Sequence, residues 1–525
     1  MAMFLLVAFV GGAASAFAFQ PVGVWPLMPI AFALLCELLA RAEGLKRALL
    51  IGWLFGLGQF VVGLNWIATA FTYQAAMPAW LGWIAVVLLS LYLAVYPMLA
   101  AGIAWTFGRN MRLALVLGLG GAWAITEWLR AGVFTGFAWN PVGVTFDDTH
   151  LLNATATIGT YGLSAVVVLA GGLIFLLVHR QWRCAASIAL PLILLHFLPR
   201  PFVPPPESRN LTTLPNPLPQ PPVRFDAIRV VQPNIGQQDK WRPGFSEIAA
   251  QRLAQLSLQP GGARPRLLFW PEAAVTNPMQ DQRAEPYAAF AAFERARAAS
   301  MVGPGEYLLT GGIALFSKDQ VKVSGAANSV FIFGQGGRLV GRYDKAHLVP
   351  YGEYLPMRPL LSTVGLSRLA PGDVDFVPGP GPRSVNLPGW GNVGFQLCYE
   401  IIFSGEVVDR RNRPDVIFNP SNDAWFGSWG PPQHLAQARM RAAEEGVPVI
   451  RSTPTGISAL IDSHGQVVRA LPWRQPGAFD AILPLPAAKP TFFARFGNVI
   501  PLLLGFALII AAIALGRRGR YRERT

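Results

Sequence analysis

Charged residues and cysteines are what this chain has little of. Only 14% of its 525 residues are Asp, Glu, Lys or Arg, against 52% hydrophobic residues and a mean hydropathy of +0.38. Soluble domains carry roughly 25% charged residues, so this composition excludes a wholly water-soluble protein and assigns much of the chain to a bilayer. Cysteine occurs three times. Cys36 and Cys184 fall in or beside apolar runs and read as packing residues. Cys398 stands alone in the less apolar part, which excludes a disulfide within that part. Acidic residues, 29 against 43 basic, leave a net charge of +14. No basic block is interleaved with aromatics in the manner of a strand-binding groove, so a nucleic-acid partner is excluded.

The apolar excess is concentrated in residues 1–199 and again at 496–516, in runs that approach the roughly 20 residues needed to cross a hydrocarbon core. Seven spans are expected first, at 3–19, 22–40, 48–69, 78–106, 112–130, 157–178 and 184–199, and an eighth at 496–516. Arg41, Lys46 and Arg47 follow the second span, Arg109 and Arg112 the fourth, Arg180 and Arg183 the sixth, and Arg517, Arg518, Arg520, Arg522 and Arg524 the eighth. The connections Gln20 to Pro26 and Thr72 to Pro78 carry no Lys or Arg. Positive charge stays on the cytoplasmic side, which places the N-terminus and the basic tail 517–525 inside and residues 200–495 outside. Ala14-Ser15-Ala16 has the look of a signal-peptide cleavage site, but no Lys or Arg precedes the apolar run, so the first span is expected to be retained.

Residues 200–224, with Pro204-Pro205-Pro206 and the Pro-rich run 215–222, can form neither helix nor central strand and read as a linker. Beyond it, residues 225–488 change character. Short β-rich runs are expected at 227–231, 266–270, 307–314, 329–333, 393–397, 416–419, 449–452 and 457–462, with helices at 246–256, 287–299 and 433–445. This is an α/β domain large enough for its own core.

Three chemically capable residues each follow an apolar run, where an α/β sheet presents its reactive groups. Glu272 follows Leu267-Leu268-Phe269-Trp270-Pro271, and a carboxylate beside an indole in a partly dry pocket suits a general base. Lys345 lies in Tyr343-Asp344-Lys345-Ala346-His347, and a fixed ammonium favours a nearby thiolate and a developing oxyanion. Cys398 follows Val393-Gly394-Phe395-Gln396-Leu397 at an expected strand-to-helix junction, where backbone N–H groups also favour a thiolate. Singly, Glu272 and Lys345 would be solvated surface residues and Cys398 a core cysteine. His347 is a second possible base, but a lone loop histidine more often satisfies backbone groups. The set points to a nucleophile with an acid/base partner and a cation, and to acyl transfer.

A Glu, then a Lys, then a Cys, each after its own strand, resembles the nitrilase superfamily over Phe225 to Leu485. Within it, Tyr351-Gly352-Glu353-Tyr354-Leu355-Pro356, Gln396-Leu397-Cys398-Tyr399-Glu400 and Asn419-Pro420-Ser421-Asn422-Asp423-Ala424-Trp425-Phe426-Gly427 are similar to the bacterial apolipoprotein N-acyltransferase family, as is the order of seven spans, domain and eighth span. The resemblance implies an αββα sandwich on a polytopic helical membrane domain in the bacterial inner membrane, with the sandwich on the periplasmic side. It implies Glu272, Lys345 and Cys398 as a catalytic triad, a phospholipid acyl donor and a diacylated apolipoprotein acceptor. It implies no metal and no cofactor, in keeping with the lack of a His/Cys cluster at ligand spacing. Glu353, Tyr399 and Glu400 are expected in support, Trp270, Trp425, Phe426 and Trp429 as substrate-contacting or lid residues, and the chain is expected to act as a monomer. Two rivals remain open: a membrane-tethered amidase acting on a small amide, and a transporter, which would carry ionisable groups within its spans.

Overall fold

Apolar runs near the length of a bilayer crossing give helices along the first 200 residues: α1 (Ala2–Ser15), α2 (Leu27–Ala40), α3 (Leu45–Gly63), the short α4 (Ile67–Ala70), α5 (Leu81–Leu93), α6 (Val95–Gly108), α7 (Arg112–Gly132), α8 (Thr155–Val178) and α9 (Trp182–His196). The computed structural model describes residues 2–73, 78–198, 200–203, 226–240, 242–361, 363 and 374–522. The expected linker 200–224 therefore lies almost entirely outside the described residues, as do parts of the connection after α4 and of the basic tail.

Among the described residues, four helical runs are long and apolar enough to cross a membrane, Leu45–Gly63, Leu81–Gly108, His150–Val178 and Val499–Arg518. Met3–Ala18, Leu27–Ala40 and Trp182–His196 are apolar but shorter. Close packing of these helices depends on small residues. A Cβ on Gly12 of α1 would lie 1.9 Å from the Phe55 carbonyl oxygen of α3, so only glycine permits that approach. The run expected at 112–130 is α7, and it holds two buried ionisable groups. Glu127 accepts hydrogen bonds from Trp123 Nε1 (2.9 Å) and the Val142 N–H (2.8 Å), and Arg130 donates to the Trp139 carbonyl (2.8 Å). Both have partners inside the bundle, as charges at such depth require.

The later residues form two sheets. The first is built from β1 (Ala227–Gln232), β2 (Leu267–Phe269), β3 (Pro278–Asp281), β4 (Tyr307–Phe316), β5 (Gly325–Phe333) and β6 (Leu339–Asp344). The second comprises β7 (Ser384–Leu387), β8 (Gly391–Phe395), β9 (Val416–Pro420), β10 (Val449–Ser452), β11 (Ala459–Ile461) and β12 (Val467–Ala470), and β13 (Gly477–Ile482) returns to the first sheet. Their orders are β13-β1-β2-β4-β5-β6, with β3 also on β4, and β12-β11-β10-β9-β8-β7. Parallel pairs β1/β2, β2/β4, β8/β9 and β9/β10 lie at the centre of each sheet. Alternate residues of the two sheets, among them Val230, Phe269, Leu309 and Ile332 against Phe395, Phe418, Ile450 and Leu460, form one buried core.

Helices cover the outer faces. α10 (Phe245–Leu258) and α11 (Tyr287–Ala299) lie on the first sheet, and after the short α12 (Arg358–Leu361) comes α13 (Gly430–Glu445) on the second. The short α14 (Phe492–Phe496) leads into α15 (Val499–Arg522), which packs on α7. The architecture is an αββα sandwich joined to a helical membrane region. β3, β6, β7, β12 and β13 are not among the expected strands.

The contact between the two regions is polar as well as apolar, and α13 makes most of it. Glu444 accepts from the Thr160 N–H and hydroxyl of α8, both at 2.6 Å, and Trp139 Nε1 donates to Gln433 (2.8 Å). Gln433 in turn donates to the Gly63 carbonyl at the end of α3 (3.3 Å).

Candidate active site

Glu272 follows β2 in a turn fixed by backbone bonds to β4, from Trp270 N–H to the Leu309 carbonyl (2.9 Å) and from Gly311 N–H to the Pro271 carbonyl (3.2 Å). A Cβ on Gly311 would lie 2.6 Å from Glu272 Cα, so glycine is what lets β4 pass behind this turn. Lys345 stands at the end of β6, its N–H bonded to the Asn328 carbonyl of β5 (2.9 Å). Its ammonium lies 2.9 Å from Glu353 and 3.9 Å from Glu272, with all three side chains buried. The Asn328 amide donates to Glu272 Oε1 (2.7 Å) and to Glu353 Oε1 (2.9 Å), bridging two carboxylates that would otherwise repel across the lysine. Burial opposes the charge on Lys345, but Glu353 and then Glu272 outweigh it and raise its pKa above the ordinary lysine range.

Cys398 follows β8 with φ at +49° and opens a single five-residue 3₁₀ turn, Cys398–Ile402, rather than the helix expected there. Such a backbone conformation is costly for a residue with a side chain and persists where its surroundings over-determine it. Glu400 is one such constraint. It accepts from the N–H groups of Leu397 (2.6 Å), Ala346 (2.7 Å) and His347 (3.0 Å) and from the Tyr343 hydroxyl (2.9 Å), tying the turn at Cys398 to the loop that carries Lys345. Burial pushes the Glu400 carboxyl up to about 7, against the pull of those N–H donors.

Burial, and then the Glu272 charge, hold the Cys398 thiol well above its usual pKa, although Lys345 pulls the other way and the Asn422 N–H bonds the sulfur. Lys345 favours the thiolate as expected, but burial and the Glu272 charge outweigh it.

Nothing in the sequence pointed to the group behind Cys398. His434 of α13, Asp423 and Cys398 bring ligand-type atoms within 4.8 Å of one another. His434 Nε2 lies 3.1 Å from the Cys398 carbonyl, an acceptor, so we assign the hydrogen to Nε2. Its Nδ1 lies 3.0 Å from Asp423 Oδ1 and 3.1 Å from Arg451 Nη2. Arg451 also bonds Asp423, so a cation placed among these donors would face a guanidinium. Burial and then Arg451 push the His434 pKa down, against the pull of Asp423 and of the Cys398 backbone. The network holds the strained cysteine in place. The signal for it, one residue each from β10, α13 and the turn after β9, is scattered along the chain.

The other candidates divide. Glu353 and Glu400 are at the site as described, and Tyr399 is buried beside it with its hydroxyl on the Gly136 carbonyl (3.3 Å). Trp270 is corrected: it is a core residue under α10, its Nε1 donating to Ser257 (2.8 Å), and does not reach the site. Trp425, Phe426 and Trp429 are half-buried against residues of the helical region, Trp425 near Tyr73, Phe426 near Trp66 and Trp139, and Trp429 near Phe17. The apolar segment beginning at Met357 is exposed at Met357 and Leu360. His347 stacks on Phe403 and meets the Thr135 carbonyl (3.1 Å), a backbone-satisfying role.

Comparison with known proteins addresses the whole chain. Residues 11–173 match the Apolipoprotein N-acyltransferase N-terminal domain, and residues 228–491 match Carbon-nitrogen hydrolase. The chain is 32% identical to an apolipoprotein N-acyltransferase of Rhodopseudomonas palustris over 527 aligned residues, covering 98% of this chain and 95% of that protein. The Bradyrhizobium diazoefficiens enzyme of the same name is 34% identical, with 96% and 94% covered. The chain belongs to the apolipoprotein N-acyltransferase family. For a member of that family, the αββα sandwich supplies the carbon–nitrogen-hydrolase part and the apolar helices the membrane part. Both halves are thus those of a membrane enzyme.

Proposed function

We propose that this protein transfers an acyl chain from a phospholipid to the N-terminal amine of a diacylglyceryl-cysteine on an apolipoprotein, through a thioester on Cys398. The thiol gives its proton to Glu272 and the sulfur attacks the donor's ester carbonyl. Lys345, held between Glu353 and Glu272, stabilises the tetrahedral oxyanion. The intermediate collapses, the C–O bond breaks, Glu272 returns its proton to the leaving alkoxide, and a lysophospholipid departs. The acceptor amine then attacks the thioester, an amide C–N bond forms, the C–S bond breaks, and the proton released by the amine goes through Glu272 back to the sulfur. The triad is complete within one chain, in keeping with action as a monomer.

The alternation of basic and uncharged connections supports eight spans in the bacterial inner membrane, with the sandwich on the periplasmic side. The observation that carries the reading is that Glu272, Lys345 and Cys398 converge in one buried site on a sandwich seated on apolar helices. A small-amide hydrolase would need no such seat. The test is the intact mass of purified protein incubated with a defined phospholipid. A hydroxylamine-labile acyl adduct on the wild type, absent from Cys398→Ala, is expected. A folded wild type that never carries an adduct would overturn the mechanism.

A further inference from the structure

One buried cation near the triad has no role in the steps above. Lys240, in the loop after β1, is 5% exposed, and its ammonium has no hydrogen-bond partner among the described residues. A buried ammonium without partners is unfavourable by several kcal/mol, so its persistence calls for an occupant. The loop is pinned over the site: Gln237 accepts from the Asn422 side chain (3.2 Å), and the Asn422 N–H bonds the Cys398 sulfur. Two further buried atoms of this neighbourhood also lack partners among the described residues, Oε2 of Glu272 and Oδ1 of Asn422. Glu272 is the charge that Lys240 senses, but the two are not within ion-pair distance. Unmade polar bonds thus gather in the neighbourhood of the thiol.

We propose that Lys240 binds the phosphodiester of the acyl donor, a role that rests on the acyltransfer reading above. The ligand follows from chemistry. Lys345, set between two carboxylates, is committed to the oxyanion in the proposed reaction, so the donor's fixed anion calls for a different cation. Of the two substrates, the donor carries a fixed anion on the same glycerol as its reacting ester. The acceptor brings an amine, which an ammonium does not attract. Burial holds the Lys240 pKa down to about 8, against the pull of Glu272, so a phosphate beside it would restore full charge to the group.

The test compares two donors with the same esters, dioleoyl phosphatidylglycerol and dioleoylglycerol, in detergent micelles, reading Cys398 acylation by intact mass. In Lys240→Met the ratio of kcat/KM for the phospholipid to that for the diacylglycerol should fall about 10- to 100-fold, the loss of one charge-assisted hydrogen bond. The fall should lie mainly in KM, and Lys240→Arg should restore most of it. Removing an unpaired buried charge should leave Tm unchanged or raised, whereas a structural role would lower it. An unchanged ratio overturns the proposal, whether both activities persist or both fall together as they would if Lys240 served the thiol or the oxyanion. A wild type acylated by neither donor would sink the acyltransfer reading itself, and that result is distinct from an unchanged ratio.

Discussion

The Lys345 ammonium sits closer to Glu353 than to Glu272, 2.9 Å against 3.9 Å. Glu353 is therefore the residue that fixes the lysine, and Glu272 keeps one oxygen without a hydrogen-bond partner among the described residues. Glu353→Gln should let the ammonium move onto Glu272 and occupy the base. We expect kcat for Cys398 acylation to fall on the order of 100-fold, the size of effect seen when an oxyanion donor is misplaced, with KM for the donor little changed. Pre-steady-state acylation measured by quenched mass spectrometry checks it.

The thiol's environment makes a second prediction. Burial and Glu272 raise the Cys398 pKa, so the thiolate fraction is small at neutral pH and grows as pH rises past the ordinary cysteine range. Alkylation of the native protein by iodoacetamide should keep accelerating at pH values where the denatured protein has reached its plateau. Lys345→Met, which removes the opposing cation, should slow alkylation further at any given pH. A plateau at ordinary cysteine pH would contradict the raised value.

Glu400 serves three backbone N–H groups at once. Glu400→Ala leaves all three without that acceptor, the buried Leu397 N–H at a cost of about 1–3 kcal/mol, so thermal unfolding should come a few degrees lower. Glu400→Gln should recover only part of the loss, because the new amide nitrogen presents hydrogens to N–H donors.

Behind Glu272, Gly311→Ala would place a Cβ 2.6 Å from the glutamate's Cα and 2.8 Å from the Pro271 carbonyl oxygen. Overpacking of this kind costs about 1–3 kcal/mol. The displaced turn should reduce acylation more than stability, seen as a protein that melts near the wild-type temperature but forms adduct slowly.

Much of the site was legible because its chemistry lies next to strong local patterns. The run before Glu272 is a continuous apolar strand buried throughout, and the strand before Cys398 is buried over its last three residues, so both stand out. β6, which leads into Lys345, has Gly341 and Arg342 in its middle and is only partly buried, so it reads as loop. β12 is exposed along its length and offers no alternation. Asn328, His434, Asp423, Arg451 and Lys240 were not legible for another reason: each acts through a neighbour distant in sequence, and no periodicity records such a pairing. Trp270 misled because β2 ends at Phe269 and the chain turns at once, so nearness to Glu272 in sequence does not carry the indole to the site.

α13 has two faces in use, one closing the second sheet and the other bonded to α8 and to the loops at the ends of α3 and α7. Its His434 also holds the backbone of Cys398. The sulfur's height above the helical region is thus a fixed dimension of the molecule, set by a rigid rod rather than by a tether. In the proposed reaction a thiol so mounted would not descend to its substrate: each lipid would have to lift its ester to one level, and esters unable to rise that far would lie beyond its reach.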